Sequence, residues 1–238
     1  MEAFLSEIPV DPRTADLRFI APELVIEGLY WQTKTGTHWR EIPASLPGKS
    51  TLFARRKLWM LDGVFERVMA KLMVEPGWDG YIDATFIEAK QPHPLRGWTK
   101  IGNGLKVQLV VRDDGRICAL EVASANDAEC IVAQRLLRKM RFLPARLGGD
   151  SAYDTLTLRE LVNLLRSRLV TTRNWPSRKL SLDDMFERMR IKHARWVVER
   201  TNSWLKSFAA VKECYSRSPE TYLAGLTFAV ARYNTAAH

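Results

Sequence analysis

The sequence predicts an α/β fold in which a mixed sheet with flanking helices follows a small helical N-terminal region. Three observations predict it. Helical patterns run over residues 22–73, a turn-rich segment follows at residues 75–80, and β-type and helical runs alternate from there onward. We therefore expect a helical region over residues 1–75 and an α/β domain with C-terminal helices over residues 76–238.

Two short helices around a glycine turn are expected in the N-terminal region. The runs TLFARRKLWM and VFERVMAKLM are separated by a DG pair, and Ser50 is the expected cap of the first. The pattern is typical of a helix-turn-helix unit that binds DNA, and it fits an ordinary helical hairpin with a solvated basic face equally well. In the first interpretation, three neighbouring cations are candidates for phosphate contact: Arg55, Arg56 and Lys57.

The α/β domain begins with three β-type runs, YIDATFIEAK, LKVQLVVR and ICALEVAS, and the DDG before the third is a hairpin signal. A helix capped by Asn126 or Asp127 follows, then the strand ARLGGD, the helix TLTLRELVNLLRSR and the strand LVTTR. A long helix from about residue 184 to residue 208 and a last helix, PETYLAGLTFAVARYN, come next. Three antiparallel strands that lead into α/β crossovers are the arrangement of a ribonuclease-H-like mixed sheet.

The charge of the chain indicates an anionic partner. The 238 residues carry a net charge of +9, which favours nucleic acid first and a membrane surface second. No apolar run reaches transmembrane length, and the acidic, proline-bearing first residues are unlike a signal peptide. The three cysteines form no CxxC pair and are expected to be reduced core thiols. We expect a cytoplasmic protein that binds DNA and no membrane.

Two aspartates lie at positions in the predicted strands that indicate ligand binding. Asp83 lies in the middle of YIDATFIEAK and shares a strand face with Tyr81, Thr85 and Ile87, so its burial without a cation or a metal ion would be costly. Asp150 ends the strand ARLGGD, and ligands bind at the carboxyl ends of strands in open α/β sheets. Both aspartates are therefore candidates for ligand binding.

A third acid, Glu199, lies on the polar face of the predicted long helix. Basic, amide and hydroxyl side chains fall within about 60° of it on a helical wheel: Lys192, Arg195, Asn202, Ser203 and Lys206. By itself this face fits a solvated surface with an Arg195–Glu199 pair worth about 0.3–0.5 kcal/mol. Together with Asp83 and Asp150, Glu199 completes a set of three oxygen ligands that suits Mg²⁺ or Mn²⁺.

The segments YIDATFIEAK, GGDSAYDT and RWVVERTNSWLKSF carry these three acids. Together they resemble the first-aspartate strand, the second-aspartate segment and the glutamate helix of the DDE transposases of bacterial insertion sequences. The resemblance is to the insertion-sequence-five type within the insertion-sequence-four-like superfamily. TGTHWREIP and STLFARRKLWMLDGVFERVM also resemble family segments, so the similarity runs from about residue 35 to residue 208.

The resemblance implies a DNA transposase that cuts the ends of an insertion sequence and joins the freed 3′-hydroxyl to target DNA. It implies two metal ions, Mg²⁺ or Mn²⁺, with Asp83 bridging both, Asp150 holding one and Glu199 holding the other. The implied partners are terminal inverted repeats and target DNA in the bacterial nucleoid, bound by a homodimer or a higher oligomer.

The cations around the glutamate are candidates for DNA contact. The superfamily carries a spaced Tyr, Arg, Glu and Lys on this helix, and here Lys192 stands where the Tyr is usual. Arg195 and Lys206 hold their places and would hold a substrate phosphate, Arg195 as a bidentate donor and Lys206 as a point charge. Lys192 and Arg188 would extend this basic stripe.

Other positions leave more than one interpretation open. Trp196, at the edge of the polar face, is expected in the core, and the alternative is stacking on an unpaired base near the cut. Gln108 and Arg112 stand where the family often has His and Asp, and residues 1–30 match the family poorly. Two other functions fit the chain as well: a DNA-binding protein derived from a transposase but without catalysis, and a hydrolytic nuclease on the same fold.

Overall fold

A mixed sheet forms the centre of the chain in the computed structural model, which describes residues 2–9, 20–71, 77–171 and 182–236. Within those ranges the sheet has seven strands: β1 Asp79–Ala89, β2 Gly97–Thr99, β3 Gly102–Arg112, β4 Ile117–Ser124, β5 Arg146–Gly149, β6 Arg168–Thr171 and β7 Glu213–Cys214.

The central strand β1 decides the topology of the sheet. It pairs antiparallel with β3 along almost its whole length, and β3 pairs antiparallel with β2 and β4 on its other edge. The opposite edge of β1 pairs in parallel with β5 near one end and with β7 near the other, and β6 lies outside β5. Three antiparallel strands followed by parallel crossover strands confirm the predicted ribonuclease-H-like sheet.

Helices flank the sheet and form the N-terminal region. The helices of the described residues are α1 Glu2–Leu5, α2 Pro22–Thr35, α3 Lys49–Leu61, α4 Val64–Lys71, α5 Glu129–Lys139, α6 Leu156–Leu164, α7 Leu182–Ala194, α8 Trp196–Leu205, α9 Ala209–Lys212 and α10 Pro219–Ala236. None of these helices is both long and apolar enough to cross a lipid bilayer.

The alternation of β1 sends its side chains into two different cores. Ile82 belongs to the cluster that the sheet forms with α5 and α6. Tyr81 and Ile87 belong to the cluster on the other face, together with residues of α8 and α10. Asp83 has the same parity as Tyr81 and Ile87, so it points to the side of the sheet that α8 covers. The predicted strand face of Asp83 is therefore the observed one.

The N-terminal helices pack onto the C-terminal helix α10. Phe4 stacks on Phe228 of α10 with ring centroids 4.5 Å apart, and Phe65 of α4 meets the same ring edge-on at 5.3 Å. Helices α3 and α4 are joined by a two-residue turn in which Gly63 has a φ of 66°, a left-handed angle that favours glycine. The expected pair of short helices around a glycine turn is present, and its role in DNA binding stays a prediction.

Three expectations about helix boundaries were wrong. The predicted long helix is divided at Arg195 into α7 and α8, although backbone hydrogen bonds from Arg195 and Glu199 continue across the junction. Helix α5 begins after Ala128, because Asn126 accepts a hydrogen bond from Ser124 and Asp127 accepts one from Arg135 instead of capping the helix. Ser50 lies inside the first turn of α3, which begins after Gly48.

Candidate active site

Asp83 lies in β1, and Asp150 follows directly after the neighbouring strand β5. Tyr81 of β1 pairs with Gly148 of β5 in parallel register, and both aspartates come two residues later. Asp150 keeps an extended backbone, with φ −80° and ψ −172°, and its Oδ1 accepts a hydrogen bond of 2.7 Å from the backbone N–H of Ala152. That bond orients the Asp150 carboxylate at the carboxyl end of β5, where open α/β sheets bind ligands.

The Asp83 carboxylate is half-buried between β1 and α8. The side-chain Nδ2 of Asn202, on α8, donates a hydrogen bond of 2.8 Å to Asp83 Oδ2. Burial raises the pKa of Asp83 to about 6, and the negative charges of Asp150 and Glu129 act in the same direction. The backbone N–H of Ala84 and the charge of Arg195 act against them. A cation near Asp83 would therefore relieve a real electrostatic cost.

Glu199 lies on α8 with its side chain exposed and in contact with Arg195. Its side chain is 58% exposed, and Oε1 lies 3.5 Å from Nη2 of Arg195, one turn earlier. In the parts of the chain that the structure describes, no three histidine, cysteine, aspartate or glutamate side chains stand close enough together to hold a metal ion. The structure thus brings Asp83 and Asp150 together and leaves the Glu199 side chain on the solvent side of its helix.

Two of the cations predicted to contact DNA act on Asp83. The Arg195 side chain is 27% exposed, and its charge favours the ionised form of Asp83. Burial lowers the pKa of Lys206, at the end of α8, and the negative Asp83 acts in the opposite direction. Lys192 is exposed on α7 and Arg188 is half-buried there. Positive charge therefore lies beside Asp83, as a phosphate-binding site requires.

Trp196 is not a core residue, and the expectation that it would be is wrong. Its side chain is 54% exposed at the start of α8, and the Arg200 guanidinium lies 4.5 Å from its ring centre. Val197 and Val198 occupy the buried face of this helical turn instead. The alternative interpretation, in which Trp196 stacks on a base, is compatible with its exposure.

The three candidate cations of α3 have different surroundings. The Arg56 guanidinium lies over the rings of Trp39 and Phe53, at 4.7 and 5.2 Å, and burial lowers its pKa to about 10. Arg56 remains charged at neutral pH, but its side chain packs against these two rings. Lys57 is exposed and Arg55 is half-buried. Of the three, Lys57 is the most accessible to DNA.

Sequence patterns did not single out two residues of this site. Asn202 was grouped with the solvated face of Glu199, yet it is buried against Asp83. Glu129, the first residue of α5, lies near enough to Asp83 for its charge to raise the pKa of that carboxyl. The alternation of β1 was the available signal for such partners. It shows which face of the sheet carries Asp83, and residues of the helix that covers this face are the candidates to contact it.

Comparison with known proteins gives one family match. The sequence profile described as the transposase DDE domain matches residues 77–234, well over half of this chain. No curated protein sequence matches.

Several solved structures resemble the fold at low sequence identity. A piggyBac transposase synaptic complex with hairpin DNA is similar with a TM-score of 0.58 and 11% identity, over 99% of this chain and 69% of that one. The catalytic core domain of BIV integrase is similar with a TM-score of 0.40 and 16% identity, over 65% and 82% of the two chains. A simian T-cell lymphotropic virus intasome in complex with a PP2A regulatory subunit is similar with a TM-score of 0.42 and 15% identity, over 66% of this chain and 48% of that one.

Proposed function

Because this chain belongs to the family of transposase DDE domains, we propose that Asp83, Asp150 and Glu199 are the carboxylates that carry its phosphoryl-transfer chemistry on DNA. The observation that carries the proposal is the register of β1 with β5, because Asp83 and Asp150 each come two residues after the paired residues Tyr81 and Gly148. Helix α8, which bears Glu199, contacts Asp83 through Asn202. In this proposal one helix, one strand and the residue after a second strand would supply the three acids.

The donor set fits a hard divalent cation, Mg²⁺ or Mn²⁺. Its candidate ligands are oxygen atoms, and a buried amide oxygen, Asn202 Oδ1, has no hydrogen-bond partner within the described ranges of the chain. Asp83 and Asp150 would hold the ions from the strands, and Glu199 would join them after its exposed side chain turns away from Arg195. Two bound ions would activate the attacking oxygen and stabilise the leaving one.

The remaining residues would bind and orient the DNA. Arg195 and Lys206 would hold the phosphate next to the cut, because both lie beside Asp83 and carry positive charge. Asp83, with a pKa of about 6, would be mostly ionised above that pH and ready to bind a cation. The reaction would be cleavage of a phosphodiester by water, followed by attack of the freed 3′-hydroxyl on a target strand.

We also propose the finer identity that the motifs imply. The chain would be the transposase of a bacterial insertion sequence of the insertion-sequence-five type, acting on its terminal inverted repeats as a dimer or a larger assembly. The α3–α4 pair, with exposed Lys57, would contribute DNA contacts from the N-terminal region. The transposase domain match supports a transposase and the net charge of +9 supports a DNA partner, while the insertion-sequence-five type rests on the resemblance of the motifs.

A cleavage and joining assay tests the proposed function. We expect the purified protein, with Mg²⁺ and DNA that carries the element's own ends, to produce 3′-hydroxyl ends and then joined products with a second DNA. Nicks without joined products would indicate a hydrolytic nuclease on the same fold. Binding to the ends without any nick would indicate a DNA-binding protein that has lost catalysis.

Binding to generic duplex DNA should be dominated by phosphate contacts. We expect log K to fall linearly with log salt, with a slope near −0.9 for each phosphate neutralised. Lys192→Gln on α7 should reduce that slope by about one unit. Lys139→Gln is the matched control, because Lys139 lies on α5 and pairs with Glu121 at 2.7 Å. A salt-independent affinity, measured by fluorescence anisotropy, would contradict the phosphate model.

A further inference from the structure

Asn202 is the residue that links the glutamate helix to Asp83. It lies on α8, three residues after Glu199, and it is buried against β1, with 7% of its surface exposed. Its Nδ2 donates the hydrogen bond of 2.8 Å to Asp83 Oδ2. This bond joins α8 to the central strand at the candidate active site, so Asn202 holds one oxygen of the Asp83 carboxylate.

The other polar atom of the same amide is unsatisfied. Asn202 Oδ1 is buried and accepts no hydrogen bond from the residues that the structure describes. A buried acceptor without a partner costs free energy, and an apolar side chain of the same size would avoid that cost. The two polar atoms of one amide share a carbon atom, so this oxygen lies close to the Asp83 carboxylate. An amide oxygen is also an accepted ligand of hard divalent cations.

The neighbouring residue shows what a purely structural side chain looks like on this helix. Thr201 is fully buried, and its hydroxyl contacts the backbone oxygen of Val197 at 2.9 Å and the hydroxyl of Tyr233 at 3.0 Å. Its polar atom is satisfied on the side of α10. Asn202 differs because its Nδ2 holds Asp83 while its Oδ1 has no hydrogen-bond partner among the described residues.

We propose that Asn202 is a fourth member of the metal-binding group, which positions Asp83 through Nδ2 and offers Oδ1 as a neutral oxygen ligand to the divalent cation. This inference rests on the proposed function, because it takes Asp83 as a metal ligand. It adds a role for Asn202 that does not depend on where the Glu199 side chain points. It also explains why a polar residue is buried at this position of an otherwise apolar contact.

Direct Mn²⁺ binding, measured by calorimetry on the full chain without DNA, tests the proposal apart from catalysis. Asn202→Leu keeps the size of the side chain but removes both polar atoms, and we expect it to weaken Mn²⁺ binding about tenfold or more. Asn202→Ala removes the same two polar atoms with a smaller side chain, and we expect it to weaken Mn²⁺ binding to a similar extent. Thr201→Val is the matched control, which should lower the melting temperature and leave the Mn²⁺ affinity of the folded protein unchanged.

The outcomes separate this inference from the function on which it rests. Wild-type Mn²⁺ affinity in Asn202→Leu, combined with lost affinity in Asp83→Asn, overturns the role of Asn202 and leaves the proposed site intact. If the wild-type protein binds no Mn²⁺, or if Asp83→Asn binds it with undiminished affinity, both the role of Asn202 and the proposed metal site are overturned. If Asn202→Leu does not fold, Asn202→Ala takes its place, because a folded Asn202→Ala variant with wild-type Mn²⁺ affinity also overturns the proposal.

Discussion

Asp83→Asn should abolish DNA cutting and at the same time make the metal-free protein more stable at neutral pH. The first effect follows because asparagine keeps the shape of the side chain but removes the charge that would bind the cation. The second follows from burial, which raises the pKa of Asp83 to about 6 from its ordinary value of 3.8. Ionising this group in the folded protein costs free energy, and the amide avoids that cost.

The sign of the pH dependence follows from the two pKa values. Between about pH 4 and pH 6 the folded protein holds a proton on Asp83 that the unfolded chain has lost, so the free energy of unfolding falls as pH rises through this window. Above about pH 6, the free energy of unfolding of the wild type should be lower than that of Asp83→Asn by about 2 to 3 kcal/mol. Below about pH 4 both side chains are neutral and the difference should vanish.

Urea denaturation with a chelator at pH 3.5, 5 and 7.5 measures this effect. Asp79→Asn is the control on the same strand. Asp79 accepts hydrogen bonds of 2.8 and 2.9 Å from Arg146, so this substitution should destabilise the protein. Equal stability of wild type and Asp83→Asn at pH 7.5 would show that burial does not strain Asp83. Normal cutting by the variant would remove Asp83 from the catalytic centre.

The second large effect is expected from Glu199→Gln, which should abolish Mg²⁺-dependent nicking of end DNA and leave stability almost unchanged. The Glu199 side chain is 58% exposed and its pair with Arg195 spans 3.5 Å, so losing the pair should cost less than about 1 kcal/mol. A large loss of nicking without a loss of stability cannot come from a surface ion pair. It requires that Glu199 takes part in the chemistry after leaving Arg195.

Single-turnover nicking of end DNA beside the wild type measures this loss. Glu160→Gln, an exposed glutamate on α6, is the matched control and should nick normally. Arg195→Ala should weaken DNA binding as well as rate, because Arg195 would contact the phosphate. Near-normal nicking by Glu199→Gln would exclude Glu199, and Glu129, whose charge already acts on Asp83, would then be the next candidate for the third carboxylate.

Much of this fold could be predicted because its signals are local. Alternation in YIDATFIEAK, the DDG turn and the run ARLGGD gave β1, the β3–β4 hairpin and β5 with Asp150 at its end. Strands β2 and β7 could not be predicted in this way. They are three and two residues long and exist because Gly102–Arg112 and Asp79–Ala89 offer free edges to pair with.

The sequence by itself determined which residues are chemically suited to the site and which strand face carries Asp83. Periodicity is a property of one element, so it shows the direction of a side chain but not its depth or its partner. Only the tertiary structure decided that Asp83 and Asp150 each come two residues after paired residues of β1 and β5, because these strands are separated by a hairpin and a helix along the chain. It also decided that Asn202 is buried on Asp83 while Trp196 is exposed, because these depend on how α8 lies across β1.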